Sequence, residues 1–181
     1  MFCSSSEEVA PVYLQVAQEL GQALAERNLT LVYGGCHVGT MGVVARSVHR
    51  FGGTVVGVIP AALRDRGLAY VSADELIVTS GLRERKAEME ARADAFVVLP
   101  GGVGTLEEAL EILAQKTVGA HQKPMVFVNT RGFYDALVGM FESWIEQRFA
   151  RPAHRELYRV APDVAHAVGY LDGLRPAGGR K

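Results

Sequence analysis

The residues best suited to chemistry lie in one glycine-rich segment, Leu99–Glu108, which reads LPGGVGTLEE. An apolar strand is expected to end here, Gly101, Gly102 and Gly104 turn the chain, and a helix is expected to begin near Thr105. Glycine lets the backbone approach a ligand closely, and a helix N-terminus offers unpaired N–H groups at the positive end of its dipole. The segment therefore predicts a phosphate-binding turn. It matches neither the P-loop motif nor G-x-G-x-x-G, which disfavours an ATPase or a plain dinucleotide-binding protein.

Glu108 has two interpretations. It stands three residues after Thr105, the spacing of a capping box in which both side chains satisfy N–H groups at the start of a helix. The same carboxylate beside a phosphate site is a candidate catalytic group. The spacing leaves both interpretations open.

Arg85 belongs to a charged segment, Leu82–Met89, on a helix expected over 81–93. Such a run is typical of a solvated helix face. Arg85 and Met89, however, are four residues apart and share one face of the helix. An arginine among apolar positions beside a phosphate site would bind an anion through two parallel hydrogen bonds. Both interpretations of this helix stay open.

A second glycine cluster, at 34–42, also joins a strand to a helix. Its first pair, Gly34 and Gly35, would let the backbone approach a nucleotide, and its last two glycines would allow close helix packing. Two such turns in one small sheet favour a shared binding crevice. The serines at 4–6 would close a third turn, where Ser6 is either a helix N-cap or part of the ligand site.

The elements that must position these turns follow from the apolar periodicity. Strands are expected at 29–33, 54–59, 75–79, 95–99 and 125–129, and helices at 7–27, 41–48, 81–93, 105–117, 133–149 and 162–172. The segment 61–74 has no clean period and is expected to be a loop with short helical pieces. Strands that are apolar on both faces indicate an α/β fold, a parallel sheet with helices on both faces, in which ligands bind at the carboxyl ends of the strands.

Composition and charge bound the class of protein. The 181 residues are 49% hydrophobic and 22% charged with a net charge of −1, which predicts one globular domain over 1–175 and a frayed tail over 176–181. Near-neutral charge disfavours a non-specific nucleic-acid-binding protein, and no apolar run is long enough to span a membrane. The N-terminus does not read as a signal peptide, so we expect a cytoplasmic protein. The two cysteines and five histidines lack metal-ligand spacing, so no metal site is expected.

The segment Pro100–Glu108, together with Glu84, Arg85 and Lys86, resembles the signature of the LOG (Lonely Guy) family. Its members are cytokinin riboside 5′-monophosphate phosphoribohydrolases, often mislabelled as lysine decarboxylases, and the similarity extends over most of the chain. The resemblance implies a Rossmann-like fold and usually a homodimer. It also implies hydrolysis of the N-glycosidic bond of an N6-modified AMP to the free base and ribose 5-phosphate, with no cofactor.

The resemblance also implies roles for individual residues. Arg85 and Glu108 match the catalytic pair of the family, and Gly101 to Thr105 would hold the 5′-phosphate. Gly102, Val103 and Gly104 lie within this turn, and the other expected substrate-binding residues are Ser5, Gly35, Lys86, Met89 and Glu107. A carboxylate can stabilise an oxocarbenium-like transition state or guide a water, and an arginine can stabilise the departing group. Which of the two acts on the proton of the leaving base stays open.

Several positions depart from the usual pattern of the family. Cys36 stands where a third consecutive glycine is usual, Thr40 where leucine is usual, and Gly67 where a glutamate is often found. Ser4 replaces a glycine, and the first strand is expected to be truncated. The segment Ala114–Thr117 also departs from the pattern. These changes leave the phosphate-binding turn intact, and the identity of the preferred base stays open.

Two other functions compete with hydrolysis. A carrier of a nucleotide or of the molybdenum cofactor would bind without turnover, and the presence of both Arg85 and Glu108 argues against it. Lysine decarboxylation is the least favoured, because no lysine stands in a recognisable pyridoxal phosphate setting.

Overall fold

The strands form two parallel sheets in a computed structural model that describes residues 1–174, and the tail expected at 176–181 lies outside the described residues. The strands are β1 (Leu31–Tyr33), β2 (Val55–Pro60), β3 (Glu75–Thr79), β4 (Phe96–Val98), β5 (Met125–Val128) and β6 (Arg159–Ala161). Their orders are β1–β2–β3 and β4–β5–β6, with all neighbours parallel. The five strands expected from the sequence are all present, and β6 is additional.

Helices cover both faces of the sheets. They are α1 (Pro11–Glu26), α2 (Gly39–Arg50), α3 (Ala61–Arg64), α4 (Leu82–Arg92), α5 (Val103–Thr117), α6 (Asp135–Glu146) and α7 (Val164–Gly173), with 3-10 helices at Thr130–Gly132 and Pro152–Leu157. One hydrophobic cluster combines side chains of α1, α2 and α7, and the other combines those of α4, α5 and α6. In β2, the successive residues Val58 and Ile59 belong to different clusters, as strand alternation requires. The expected parallel α/β fold with helices on both faces is therefore confirmed.

The N-terminal segment, Met1–Cys3, lies between the two sheets. Phe2 N donates to Val97 O at 3.0 Å, and the nitrogen of Met1 donates to Val32 O at 2.7 Å. The order across the molecule is thus β3–β2–β1, then this segment, then β4–β5–β6. The connections change direction beside it, which makes this the topological switch point where open α/β sheets bind ligands.

A cavity of about 870 Å³ lies beside the same segment, at the amino ends of β1 and β4. Leu31, Val56 and Val97 are among the residues that line it. The glycine turns follow the carboxyl ends of these strands, at the opposite edge of the sheet. This cavity is therefore separate from the candidate site.

Two local expectations are wrong, and one strand was not expected. Helix α1 begins at Pro11 after Ala10, so Ser6 is not its N-cap; proline favours the first helical turn and sets the start. Helix α5 begins at Val103 rather than near Thr105. Its N-cap is Gly102, which has an extended backbone and is the last residue before the helix. Strand β6 is the unexpected strand, because only its last residue, Ala161, is buried and no apolar run marks it.

Candidate active site

Two of the expected turns are bonded to each other at the carboxyl edge of the sheet. Met41 N donates to Ser4 O at 3.1 Å, and Ser4 N donates to Thr40 Oγ1 at 3.0 Å. These bonds hold the serine turn at the N-terminus of α2. At Gly39, where φ is +60°, an added Cβ would lie 2.5 Å from the backbone carbon of Ser5. Only glycine fits at this position, and the close contact places Ser5 at the edge of the site.

The expected phosphate-binding turn, Gly101–Thr105, follows β4. Gly102 is the extended N-cap of α5, and the first N–H groups of such a helix have no intrahelical acceptor. A Cβ on Gly101 would lie 2.2 Å from Thr105 Oγ1, so a side chain has no room there. Val103 is 87% exposed, whereas Thr105 is buried. The turn therefore combines an open surface with the N–H groups that a phosphate needs.

Arg85 of α4 and Glu108 of α5 form a buried ion pair. Arg85 Nη2 donates to Glu108 Oε1, and the two side chains are 9% and 4% exposed. Arg85 Nε is buried and has no hydrogen-bond partner among the residues that the structure describes. The guanidinium therefore has a donor left for an anionic or hydroxyl-bearing ligand.

Burial alters the acidity of Glu108. It raises the pKa of this carboxyl above its ordinary value, and the charge of Arg85 lowers the pKa by less. The start of α5 has no side-chain cap, so the capping-box interpretation of Glu108 is wrong. A carboxyl with a raised pKa beside a guanidinium is suited to exchanging a proton during catalysis.

Lys86 and Glu107, two of the expected substrate-binding residues, bind each other. Lys86 Nζ forms ion pairs with Glu107 and, at 2.5 Å, with Glu111. The hydrogen bonds to Glu107 and Glu111 raise the pKa of Lys86. This cluster ties α4 to α5 and so holds together the two helices that carry the buried ion pair.

The other expected site residues have different surroundings. Met89 is 2% exposed and packs in the hydrophobic cluster of α4, α5 and α6, where it supports the helix that carries Arg85. Gly35 is buried at a φ of +74°, and Ser5 is exposed. The structure thus joins Arg85 to Glu108 at the start of α5 and places Met89 in the core.

The segment 61–74 packs against the first glycine turn. Tyr70 N donates to Gly35 O at 2.8 Å, and Cys36 forms an antiparallel bridge with Ala69. The sequence pattern does not assign residues 68–70 to the site, because the segment carries no periodic signal. Only these contacts reveal that it forms one wall of the crevice.

Within residues 1–174, no group of three or more His, Cys, Asp or Glu side chains is arranged to hold a metal ion. None of the helices described there is both long and apolar enough to cross a bilayer. The structure does bring Arg85 and Glu108 together, and Glu108 lies on the helix whose first N–H groups follow the glycine turn.

The fold and this site define a class: a Rossmann-like α/β protein with a glycine turn beside a buried arginine–carboxylate pair. The profile of a family described as "Possible lysine decarboxylase" matches residues 41–171. A cytokinin riboside 5′-monophosphate phosphoribohydrolase of Arabidopsis thaliana is 39% identical over 176 residues, 97% of this chain and 77% of the relative. A probable enzyme of the same name from Oryza sativa subsp. japonica is 42% identical over 176 residues, 97% of this chain and 78% of the relative. The chain therefore belongs to the LOG family, which that profile describes as possible lysine decarboxylases.

Solved structures share the fold. The molybdenum cofactor binding protein of Rippkaea orientalis aligns with a TM-score of 0.69 at 20% identity, over 93% of this chain and 91% of that chain. The molybdenum cofactor carrier protein of Chlamydomonas reinhardtii aligns with a TM-score of 0.68 at 24% identity, over 96% of this chain and 94% of that chain. At these identities the likeness concerns the fold alone.

Proposed function

We propose that this protein hydrolyses the N-glycosidic bond of a purine nucleoside 5′-monophosphate and that N6-modified AMP of the cytokinin type is its substrate. The products are the free base and ribose 5-phosphate. The observation that carries the proposal is the buried Arg85–Glu108 pair beside the glycine turn of α5. The relatives in the family, which are named as phosphoribohydrolases of cytokinin nucleotides, support it.

The glycine turn binds the 5′-phosphate in this proposal. The N–H groups at 103–105 and the positive end of the α5 dipole offset the charge of the phosphate. Glu108 lies in the second turn of the same helix. A phosphate held at the helix start therefore brings the attached ribose to the Arg85–Glu108 pair.

The reaction breaks the bond between C1′ and the base nitrogen. The nitrogen leaves with the bonding electrons and takes up a proton, while positive charge develops on C1′ and the ring oxygen. The Glu108 carboxylate stabilises this charge, accepts a proton from the water whose oxygen bonds to C1′, and passes that proton to the released base nitrogen, which returns the carboxylate to its ionised form. Arg85, through its unpartnered Nε, orients the ribose phosphate. One water is consumed for each base and ribose 5-phosphate formed.

Base release followed by chromatography tests the proposal. The panel contains AMP, isopentenyl-AMP, other nucleoside 5′-monophosphates and the matching nucleosides without phosphate. We expect release from a nucleotide and none from its nucleoside. Glu108→Gln and Arg85→Ala should each lower kcat/KM by at least about 100-fold, the lower end for general acid–base groups. Glu88→Gln, which alters a carboxylate of α4 paired with Arg92, should keep wild-type activity.

Other outcomes separate the competing functions. Normal turnover by both site variants would remove Arg85 and Glu108 from the mechanism. Tight binding of a nucleotide or of the molybdenum cofactor, with no base released by the wild type, would support the carrier function. A colourless purified protein would argue further against a pyridoxal phosphate enzyme.

We also propose that the protein is a homodimer. An apolar cavity of about 440 Å³ lies between α5 and α6, and Leu113 and Trp144 are among the residues that line it. Phe149, which also lines it, is 83% exposed, and Val118 at the end of α5 is 81% exposed. A second copy of the chain on this face would remove these side chains from water. The cytoplasmic location, and the absence of nucleic-acid and membrane partners, stay predictions.

A further inference from the structure

Gly34 lies against the guanidinium of Arg85. A Cβ added at Gly34 would lie 2.9 Å from Arg85 Nη1 and 3.2 Å from Met41 Cε. Gly34 is buried, and its φ lies outside the left-handed region. An alanine could therefore adopt the same backbone conformation, and what the position lacks is room for a methyl group.

We propose that Gly34 is a positioning residue for Arg85. Its missing side chain leaves the space in which the guanidinium lies against the first glycine turn and still reaches Glu108. Arg85 Nη2 donates to Glu108 Oε1, while Nη1 faces Gly34, and the Met41 sulfur closes the space on a further side at 3.3 Å from the added Cβ. The inference rests on the proposed function, because it concerns the same catalytic pair.

Other crowded glycines of the first turn lie against atoms that cannot rotate away, namely main-chain atoms or a Cβ atom fixed to the main chain. At Gly35, an added Cβ would lie 2.9 Å from Ile59 Cβ, which is fixed to the main chain, and 3.2 Å from backbone atoms of Val58; at Gly39 it would lie 2.5 Å from the backbone carbon of Ser5. A side chain at either position would push backbone segments apart. At Gly34 the first atom met is the end of a long, flexible side chain. Gly34→Ala is therefore expected to displace the guanidinium and leave the main chain in place.

Displacing Arg85 changes the acidity of Glu108. Burial raises the pKa of Glu108, and Arg85 is the strongest of the groups that lower it. The other charged or titratable groups facing Glu108 are Glu107 of its own helix, Lys86 of α4, the amino group of Met1, and the thiols of Cys3 and Cys36. With the guanidinium moved away, the pKa of Glu108 rises further, and less of the carboxyl is ionised at neutral pH.

The pH dependence of base release by Gly34→Ala tests this role. We expect kcat at pH 7 to fall at least about 10-fold while KM changes less than about 3-fold. The acid limb of the kcat profile should move to higher pH, so that activity recovers in part as the pH is raised.

Gly53→Ala is the matched control for crowding. Its added Cβ would lie 2.8 Å from Val48 Cγ1 and 2.9 Å from Ala25 Cβ, so it crowds the core and does not touch Arg85. We expect a lower melting temperature and an unchanged acid limb. A shifted acid limb in this control would assign the effect in Gly34→Ala to general destabilisation and overturn the inference.

A second readout needs no turnover. The carbon-13 NMR signal of the Glu108 carboxyl, identified by its loss in Glu108→Gln, should titrate at higher pH in Gly34→Ala than in the wild type. If the wild type releases no base but this shift occurs, the proposed function fails and the positioning role stands. An unchanged titration together with an unchanged acid limb would overturn the positioning role.

If Gly34→Ala does not fold, the stability of a double variant tests the inference instead. Removing the guanidinium frees the space, so adding Gly34→Ala to Arg85→Ala should cost little further stability, and the double variant should fold about as well as Arg85→Ala alone. A double variant clearly less stable than Arg85→Ala would place the crowding at Met41 and overturn the inference.

Discussion

Replacing Arg85 by methionine removes one half of the buried ion pair and leaves Glu108 without its counter-charge. The two side chains are 9% and 4% exposed, so water cannot take the place of the guanidinium. Opposite charges about 4 Å apart attract by roughly 4 kcal/mol at an effective dielectric constant of about 20. Removing one partner of a buried pair costs about 3–5 kcal/mol. Because methionine keeps an apolar stem of similar length, we expect Arg85→Met to lower the free energy of unfolding by about 3 kcal/mol at pH 8.

The stability lost in Arg85→Met depends on pH, because Glu108 titrates. Burial raises the folded-state pKa of Glu108 above its unfolded value, and the loss of Arg85 raises it further. Stability linked to such a group is fully present below the unfolded pKa and is lost as the pH rises through the folded pKa. The free energies of unfolding of the variant and the wild type are therefore most similar in acid. Their difference grows as the pH rises from the folded-state pKa of Glu108 in the wild type to the higher folded-state pKa in the variant.

Urea unfolding followed by circular dichroism at several pH values measures this loss. Arg85→Met/Glu108→Gln carries no charge at the pair and should recover most of the stability at pH 8. Arg92→Met is the control on the same helix, because its side chain is 38% exposed and pairs with Glu75 and Glu88. Its loss should be small and should not follow the titration of Glu108. A loss independent of pH, or a double variant no more stable than Arg85→Met, would refute the reasoning.

Two further predictions concern the surface. Phe149→Lys, on the exposed apolar face, should convert a dimer into a monomer in sedimentation experiments, whereas Phe51→Lys should not; a monomeric wild type would contradict the homodimer. Asp74 accepts a hydrogen bond from Val55 N at 2.7 Å and pairs with His49, and the Val55 bond is the main cause of its lowered pKa. Asp74→Asn should melt below the wild type at pH 7, with the difference lost as the pH falls through that lowered folded pKa; a difference that persists in acid would exclude this cause.

The apolar strands are predictable from the sequence because both of their faces are buried. In β2, Val55, Val58 and Ile59 have no exposed surface. A continuous apolar run of this kind is typical of a parallel strand that is covered on both faces. Strand β6 differs, because Arg159 is exposed and only Ala161 is buried. Its formation depends on pairing with β5 at the edge of the sheet, which no local pattern encodes.

The candidate site divides in the same way. The glycine turn at 101–104 can be predicted from the local sequence, because a strand end, glycines and a helix start are adjacent in the chain. The Arg85–Glu108 contact joins two helices, and the resemblance to a family, rather than any spacing, suggested it. Ser6 is the opposite case: its N-cap preference is valid in general, but Pro11 starts the helix five residues later.

Glycines support the site in two physically separable ways. At Gly39 and Gly101 an added Cβ would meet backbone atoms or the β-branched Thr105, neither of which rotates clear, so a side chain there deforms the turn that holds the ligand. At Gly34 the Cβ would meet a guanidinium, which does rotate clear. Substitution of the first two should therefore weaken stability and ligand binding together, whereas substitution of Gly34 should slow turnover in a protein that still folds and binds. The kind of atom that a missing side chain would touch thus distinguishes a glycine needed for folding from one needed for chemistry.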